Sequence, residues 1–374
     1  MKNIFLFIFL FACLQIFPAS AREYLSQASD TVVFPVGCEG REITVAVNDT
    51  ICLSGTLTIP ADGQKSHPAV VIISGTGQQD RDGKFGPHRL FCRIAAYLAA
   101  QGVAVLRTDD RGTGRSTGVY AEATTRDFAD DALLMVAALK RQPGIDPQRI
   151  GLLGHSEGGA AVMMAAKNSP DVAFVITLAG LSTDGLTALK LQNNGLIRTA
   201  RYQNDIWKEA NIAFLEQLFG WVAAVPAGQR LEEPVKAEYY AWLKQQPDTL
   251  LKILNLKHRE DIYISRYLQV ADTRWYREMM AYEPADYVPF VRVPVLAFYG
   301  EKDVMVPAAE NSDHLERLLK QGGNTCYRIV NMPGLNHMMQ HCIYGTPDEY
   351  VSLEEDIAPE VLGRIGEWLK ERYK

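Results

Sequence analysis

The period of the apolar positions changes along this chain, and each change marks an architectural boundary. Between residues 30 and 60, the β-branched runs TVVFPV, EITVAV and ICLSGTLTIP are separated by Gly, Asn and Asp, which predicts antiparallel strands and hairpins. From Pro68 the texture becomes short apolar runs alternating with amphipathic ones. AVVIIS, VAVLRTD, RIGLLG and VAFVITLAG read as buried strands, and LFCRIAAYLAAQG, TRDFADDALLMVAALKRQ and SEGGAAVMMAAKN as the helices between them, the second stopped by Pro143. Strand–helix alternation of this kind predicts parallel strands with helical crossovers covering both faces of the sheet. The alternation stops near Leu181. Residues 182–288 carry helical patterns such as DTLLKILNL and REMMAYEPADYV and no apolar strand; then VPVLAFYG and TCYRIV restore strands and AAENSDHLERLLKQGG and APEVLGRIGEWLKERY helices. The expectation is an α/β core domain made of residues 22–181 and 289–374, interrupted at 182–288 by a helical insertion. Placed between the sixth and seventh core strands, that insertion is expected to act as a cap over the C-terminal sheet edge, where open α/β sheets bind ligands, with some of Trp207, Trp221, Trp242 and Trp275 facing a pocket and at least two forming its own core.

The first residues follow a different rule. MKNIFLFIFLFACLQIFPASA has one lysine, an apolar run from Ile4 to Phe17 and then small residues, the order of a secretory signal, with cleavage expected after Ala21. LFAC loosely matches a lipoprotein signal at Cys13, but Phe11 fits that pattern poorly and the apolar run continues past the cysteine. A secreted or periplasmic protein with no stable membrane insertion is expected. Past residue 21, Cys38, Cys52, Cys92, Cys326 and Cys342 are too few and too scattered for a disulfide framework; a Cys38–Cys52 bridge is the one pairing considered. Hydrophobic content of 47% with 22% charged residues suits a globular core, and a net charge of −6 leaves no basic footprint for nucleic acid.

Candidate chemistry centres on IGLLGHSEGGAA. Gly154-His155-Ser156-Glu157-Gly158 fits G-x-S-x-G between an expected strand and an expected helix, the setting in which a sharp turn exposes a nucleophilic serine rather than merely a turn serine. A serine hydroxyl needs a base. Of the seven histidines, His337 in MPGLNHMMQ follows the last strand and precedes the closing helix, where a parallel-sheet hydrolase places its base. His155 should point away from Ser156, and His88 could line the pocket edge. His341 is the competitor of His337, and the pair could suggest a metal, but the glutamate of a helical H-E-x-x-H and a third ligand are missing, so no metal is expected. The orienting acid should follow a strand between serine and histidine; Asp303 in FYGEKDVMVP fits, with Glu301 as the alternative. Backbone N–H donors for an oxyanion are expected from Glu157 and from Thr76 in SGTGQQDRDG, with Gln78 as runner-up to Thr76. Those glycines lack the Lys-Ser/Thr of a phosphate loop, and no cofactor is expected. Asp109, Asp110 and Arg111 should brace their turn. A carboxylate at Glu157 would oppose an oxyanion unless neutralised, so an ion pair with Arg81 or Arg111 is expected.

SGTGQQDRDG, LRTDDRGTGRSTG, GHSEGG, YGEKDVMVP and GLNHMMQ together resemble an α/β-hydrolase of the bacterial esterase D type, over roughly residues 50–374. The resemblance implies the α/β-hydrolase fold, a mostly parallel central sheet with N-terminal antiparallel strands and a helical cap, and a serine carboxylesterase of short esters; the substrate is expected to be an uncharged small-molecule ester. It implies Ser156 as nucleophile, Asp303 as acid, His337 as base, and Thr76 and Glu157 as oxyanion donors. Two other functions share the sequence: an aminopeptidase of the prolyl type, which would need acidic groups for a free ammonium, and a non-catalytic hydrolase-like binding protein, whose mark would be loss of one of the three residues.

Overall fold

The computed structural model describes residues 32–167 and 169–373. The expected signal sequence and Cys13 lie outside the described residues. The chain divides into two compact units, one spanning 184–283 and the other made of the described residues up to 183 together with those from 284 onward.

The larger unit is built on an eight-stranded sheet in the order β1-β2-β6-β3-β7-β8-β9-β10. Its strands are β1 (Glu39–Ala46), β2 (Cys52–Ile59), β3 (His67–Ile73), β6 (Ala104–Thr108), β7 (Ile145–His155), β8 (Val175–Leu178), β9 (Val295–Gly300) and β10 (Tyr327–Met332); β4 (Lys84–Phe85) and β5 (His88–Arg89) form a separate small hairpin. β1 and β2 pair antiparallel, β2 joins β6 antiparallel, and every later pairing is parallel. The near-continuous apolar runs are explained by burial on both faces. Val71, Leu106, Leu152 and Ala297 pack in one layer with the helices Thr125–Leu139, Glu157–Ala166 and Ala308–Gln321. Their neighbours Val70, Val105, Leu153 and Leu296 pack in the other, with the helices Leu90–Ala100 and Pro359–Tyr373. The side-chain alternation of a strand therefore shows only in which layer a residue enters.

In the N-terminal region one expectation fails and one pairing left open by the sequence is settled. TVVFPV forms no strand over its described residues. Pro35 has no N–H to give a ladder, Val33 and Val36 face solvent, and Val32 and Phe34 are anchored instead against Cys92 and Ala96. The Cys38–Cys52 bridge is also absent, both being thiols. The register explains why: Glu39 lies opposite Ile59 and Ala46 opposite Cys52, which puts the two cysteines at opposite ends of the hairpin. At about 3.3 Å per residue they are roughly 25 Å apart, against about 7 Å at most between the Cα atoms of a disulfide.

The smaller unit is helical throughout its regular elements: Gly185–Arg198, Asp205–Ala224, Glu232–Leu243, Asp248–Ile253, Glu260–Ala271 and Arg274–Met280. Side chains start several of these helices, Asp184, Asn204 and Thr273 accepting from the backbone N–H groups of Thr187, Trp207 and Tyr276. At Gly185 a Cβ would overlap the carbonyl of Met279, so the first and last helices of the unit meet backbone to backbone. Trp221 and Trp242 pack with Tyr239, and Trp242 with Phe214, inside this unit's own aromatic core. Tyr267 and Tyr276, both fully buried, share one hydroxyl–hydroxyl hydrogen bond of 3.0 Å. No helix among the described residues is long and apolar enough to cross a membrane.

Candidate active site

Ser156 sits between the end of β7 and the helix Glu157–Ala166, in the left-handed region at φ 57°. An L-residue there is strained, and the surrounding chain enforces it. The Ser156 N–H donates to the Leu178 carbonyl at 2.9 Å, while its own carbonyl accepts from the N–H groups of Gly159 and Leu181. The flanking glycines are required by close approach: a Cβ on Gly154 would stand 2.1 Å from the Gly158 oxygen, and one on Gly158 2.4 Å from the oxygens of Ile73 and Ser74.

His337 reaches Ser156 from the loop after β10. Its Nε2 lies 3.0 Å from Ser156 Oγ and its Nδ1 2.8 Å from Asp303 Oδ2. The loop is fixed by Asn336, whose Oδ1 accepts from the N–H groups of Met338 and Gln340 while its Nδ2 donates to the Gln340 side chain. Asp303 follows β9, is buried, and is held by its other oxygen, Oδ1, which accepts from Met305 N–H at 2.7 Å and Val306 N–H at 2.9 Å. The competitors lie elsewhere. Glu301 accepts from Gly334 N–H at 2.8 Å and so holds the turn ahead of the histidine loop. His341 is exposed and bonded to Glu355 and Glu360.

His155, beside the serine in sequence, touches His337. Its buried ring donates from Nε2 to the His337 carbonyl at 3.0 Å and lies 4.9 Å from the His337 ring, centre to centre. Burial, then the neighbouring His337, pushes its pKa down to about 3, so it stays neutral and serves as a donor that fixes the His337 backbone.

On the other side of Ser156 lies the loop after β3. Gly75 comes so close that a Cβ there would stand 2.9 Å from Ser156 Cβ. Thr76 and Glu157 are neighbours, joined by a hydrogen bond from the Thr76 hydroxyl to Glu157 Oε2. Glu157 Oε1 accepts from the Thr125 hydroxyl at 2.5 Å. The expected ion pair is therefore replaced: Arg81 binds Asp109 and Glu42, and Arg111 binds Asp131 in two parallel hydrogen bonds. Two hydroxyl donors, each worth about 1.5–3 kcal/mol toward a charged acceptor, hold the carboxylate, and its place in the first helical turn adds the favourable dipole. Gln78 donates from its side chain to the Gly112 carbonyl and braces the turn after β6. Asp109 takes part in that brace through Arg81 and Arg115 N–H, and Asp110 accepts from Ser74 Oγ at 2.6 Å and Gln79 N–H at 2.7 Å.

Desolvation, then the negative charges of Glu157 and Asp109, push Asp110 up from 3.8 to about 7 despite those two donors. The native state thus holds this proton more tightly than the unfolded chain does. The group's contribution is most favourable below pH 3.8 and declines as pH rises toward 7. Asp110→Asn, which keeps an acceptor for Gln79 and a polar partner for Ser74, should remove that decline. The check is the urea midpoint of both proteins between pH 4 and 8, where only the wild type should lose stability through this group.

Ser156 and His337 open onto a cleft walled by the loop at Gly75 and Thr76, by Lys84 and Phe85, and by Met305, Met338 and Tyr350. Its wall is rigid: the β4–β5 hairpin is tied down by His88, which bonds the Tyr350 carbonyl through Nε2 and Asp356 through Nδ1, and Phe85 meets Tyr350 edge to face. His88 therefore supports the cleft from behind instead of lining it. Sequence reasoning overlooked Thr125, whose partner lies 32 residues away, and the donor role of His155. The adjacency of His155 to the serine was a signal for the second alone.

The sequence profile of the alpha/beta hydrolase family matches residues 70–353. Esterase EstD of Thermotoga maritima is 25% identical over 341 residues, covering 90% of this chain and 69% of that protein. A protein named as the uncharacterized peptidase YuxL, from Bacillus subtilis, is 32% identical over 129 residues, 32% of this chain and only 18% of that protein's length. Among solved structures, the alpha/beta hydrolase GrgF from Penicillium sp. sh18 has the same fold, with a TM-score of 0.54 and 17% identity over 89% of this chain and 98% of that one.

Proposed function

Since the chain belongs to the alpha/beta hydrolase family, we propose that it is a serine carboxylesterase that works through an acyl-enzyme. In this reading His337 Nε2 takes the proton of Ser156 Oγ as the oxygen attacks the ester carbonyl, and Asp303 keeps the imidazole in the required tautomer and stabilises its charge. The backbone N–H groups of Thr76 and Glu157 receive the developing oxyanion. His337 then protonates the departing alkoxide, and the alcohol leaves. Water enters, gives its proton to His337 and releases the acid, restoring Ser156.

One observation carries the choice of ester over amino-terminal peptide: the relay of 3.0 and 2.8 Å opens onto a cleft in which, among the described residues, no lining side chain is acidic. An aminopeptidase must hold a substrate ammonium in a partly desolvated site, which takes a carboxylate. The similarity to EstD, named as an esterase, supports the same reading. A non-catalytic role would leave a strained serine turn and a complete relay without purpose. Export belongs to the proposal as well, on the charged, apolar and small-residue order of residues 1–21; the mature protein should then begin at Arg22, which N-terminal sequencing reads.

The test is a panel of aryl esters of increasing acyl length run beside aminoacyl anilides. The esters should turn over and the anilides should not, and a fluorophosphonate should label Ser156. Faster cleavage of the anilides would replace this reading with an aminopeptidase, and no turnover with no labelling would leave a binding protein.

A further inference from the structure

We propose that the cleft in front of Ser156 selects esters carrying an anionic group, and that Lys84 is the side chain that binds it. This rests on the esterase reading and narrows it to a substrate class, replacing the uncharged ester that the sequence suggested.

Lys84 lines the same cleft as Ser156 and His337 and is solvent-exposed. Its ammonium is in no ion pair with any carboxylate of the described residues; it is the backbone of Lys84, not the ammonium, that donates to Asp80 Oδ1, at 3.1 Å. Its cationic neighbours are otherwise disposed: Arg81 is paired with Asp109 and Glu42, and Arg89 and Arg107 with Asp82. In a chain of net charge −6, the one lysine or arginine in this lining is therefore a cation outside any ion pair among the described residues. The rest of the wall is neutral and largely apolar, with Phe85, Met305, Met338, Pro347 and Tyr350. Low-dielectric walls lined by one sign of charge focus the field on what enters.

The position is also held. Lys84 pairs with Arg89 across the β4–β5 hairpin, and the adjoining His88 is bonded to Tyr350 and Asp356. An ammonium acts as a point charge with three donors and places little demand on the angle of approach. It fits a carboxylate on either part of the ester: on the acyl chain, as in a monoester of a dicarboxylic acid, or on the alcohol, as in an acylated hydroxy acid.

Two pairs of substrates separate these sources. One compares the 4-nitrophenyl monoester of glutaric acid with 4-nitrophenyl pentanoate; the other compares the acetate of 4-hydroxybenzoate with the acetate of 4-methylphenol. In the wild type at low salt, the anionic-to-neutral ratio of kcat/KM should exceed that of Lys84→Met by about tenfold in at least one pair, the scale of a charge-assisted contact. The change should sit in KM, and Lys84→Glu should lower the ratio further. Added salt should lower the wild-type ratio and leave that of Lys84→Met nearly constant. Arg115, which is 78% exposed and outside the cleft, is the control for general surface charge, and Arg115→Met should keep the wild-type ratio. A ratio equal in wild type, Lys84→Met and Lys84→Glu in both pairs, with the neutral esters still hydrolysed, overturns the inference and leaves the esterase reading standing. Hydrolysis of no ester at all overturns both.

Discussion

Ser156→Ala should lower the turnover of an aryl ester by about 10⁶-fold, and His337→Ala by a similar factor, because the two act as one unit and removing either disables it. The double variant should be no worse than either alone. The structure predicts this sharing from the 3.0 Å contact: without the imidazole the hydroxyl keeps its proton, and without the hydroxyl the imidazole has nothing to activate. Folding should survive, since alanine keeps the Cβ that the turn at φ 57° already accommodates, and the loss is one hydrogen bond of about 1 kcal/mol. His341→Ala should keep most activity, its imidazole being engaged by Glu355 and Glu360 at the surface. Active-site titration with a fluorophosphonate, single-turnover kinetics and a thermal melt together check the set. A well-folded Ser156→Ala protein that keeps a few per cent of wild-type turnover, or a His341→Ala protein as inactive as His337→Ala, would displace the assignment.

What could be read from the sequence was what depends on local period and local sterics. The two-face burial of β3, β6 and β7 leaves apolar runs in the chain, and of the two glycines about Ser156, Gly154 is demanded by the backbone of its own turn and Gly158 by the end of β3. The order of Ser156, Asp303 and His337 followed from the order of strands. What could not be read depends on which distant side chains meet. Glu157 was expected to find an arginine because charge was the only criterion in view; the fold offered Thr76 and Thr125, and gave Arg81 and Arg111 to Asp109 and Asp131. TVVFPV has the composition of a strand, but Pro35 interrupts its donors and Phe34 is better placed under Arg107, 5.7 Å from its ring centre. The role of Lys84 likewise appears only when the partners of Arg81, Arg89 and Arg107 are known. Glu301 and Asp303 differ by two residues in sequence, and only the fold shows that one supports the turn at Gly334 while the other faces His337.

That last distinction yields a second large effect. Asp303→Asn should lower kcat/KM for an ester by about 10⁴-fold, and the geometry explains why the amide cannot rescue itself by rotating. Oδ1 of Asp303 accepts from the N–H groups of Met305 and Val306, so the asparagine must keep its oxygen there. Its NH₂ is then forced toward His337 Nδ1, where it donates. A donor at that position requires Nδ1 to be an acceptor, which moves the ring proton to Nε2 and aims it at Ser156 Oγ. The imidazole can no longer take the serine proton. Turning the amide the other way would restore the tautomer but set an NH₂ against two backbone N–H groups in a buried site, at a cost of about 1–3 kcal/mol for each donor left unsatisfied. Glu301→Gln retains an oxygen for Gly334 N–H and should change kcat/KM only a few-fold. Both variants should melt close to the wild type, which separates a tautomer effect from unfolding, and the fluorophosphonate labelling rate of Asp303→Asn should fall in step with its turnover. If Glu301→Gln is the slow variant and Asp303→Asn the active one, the orienting acid is Glu301, and the loop after β9 must rearrange when substrate binds.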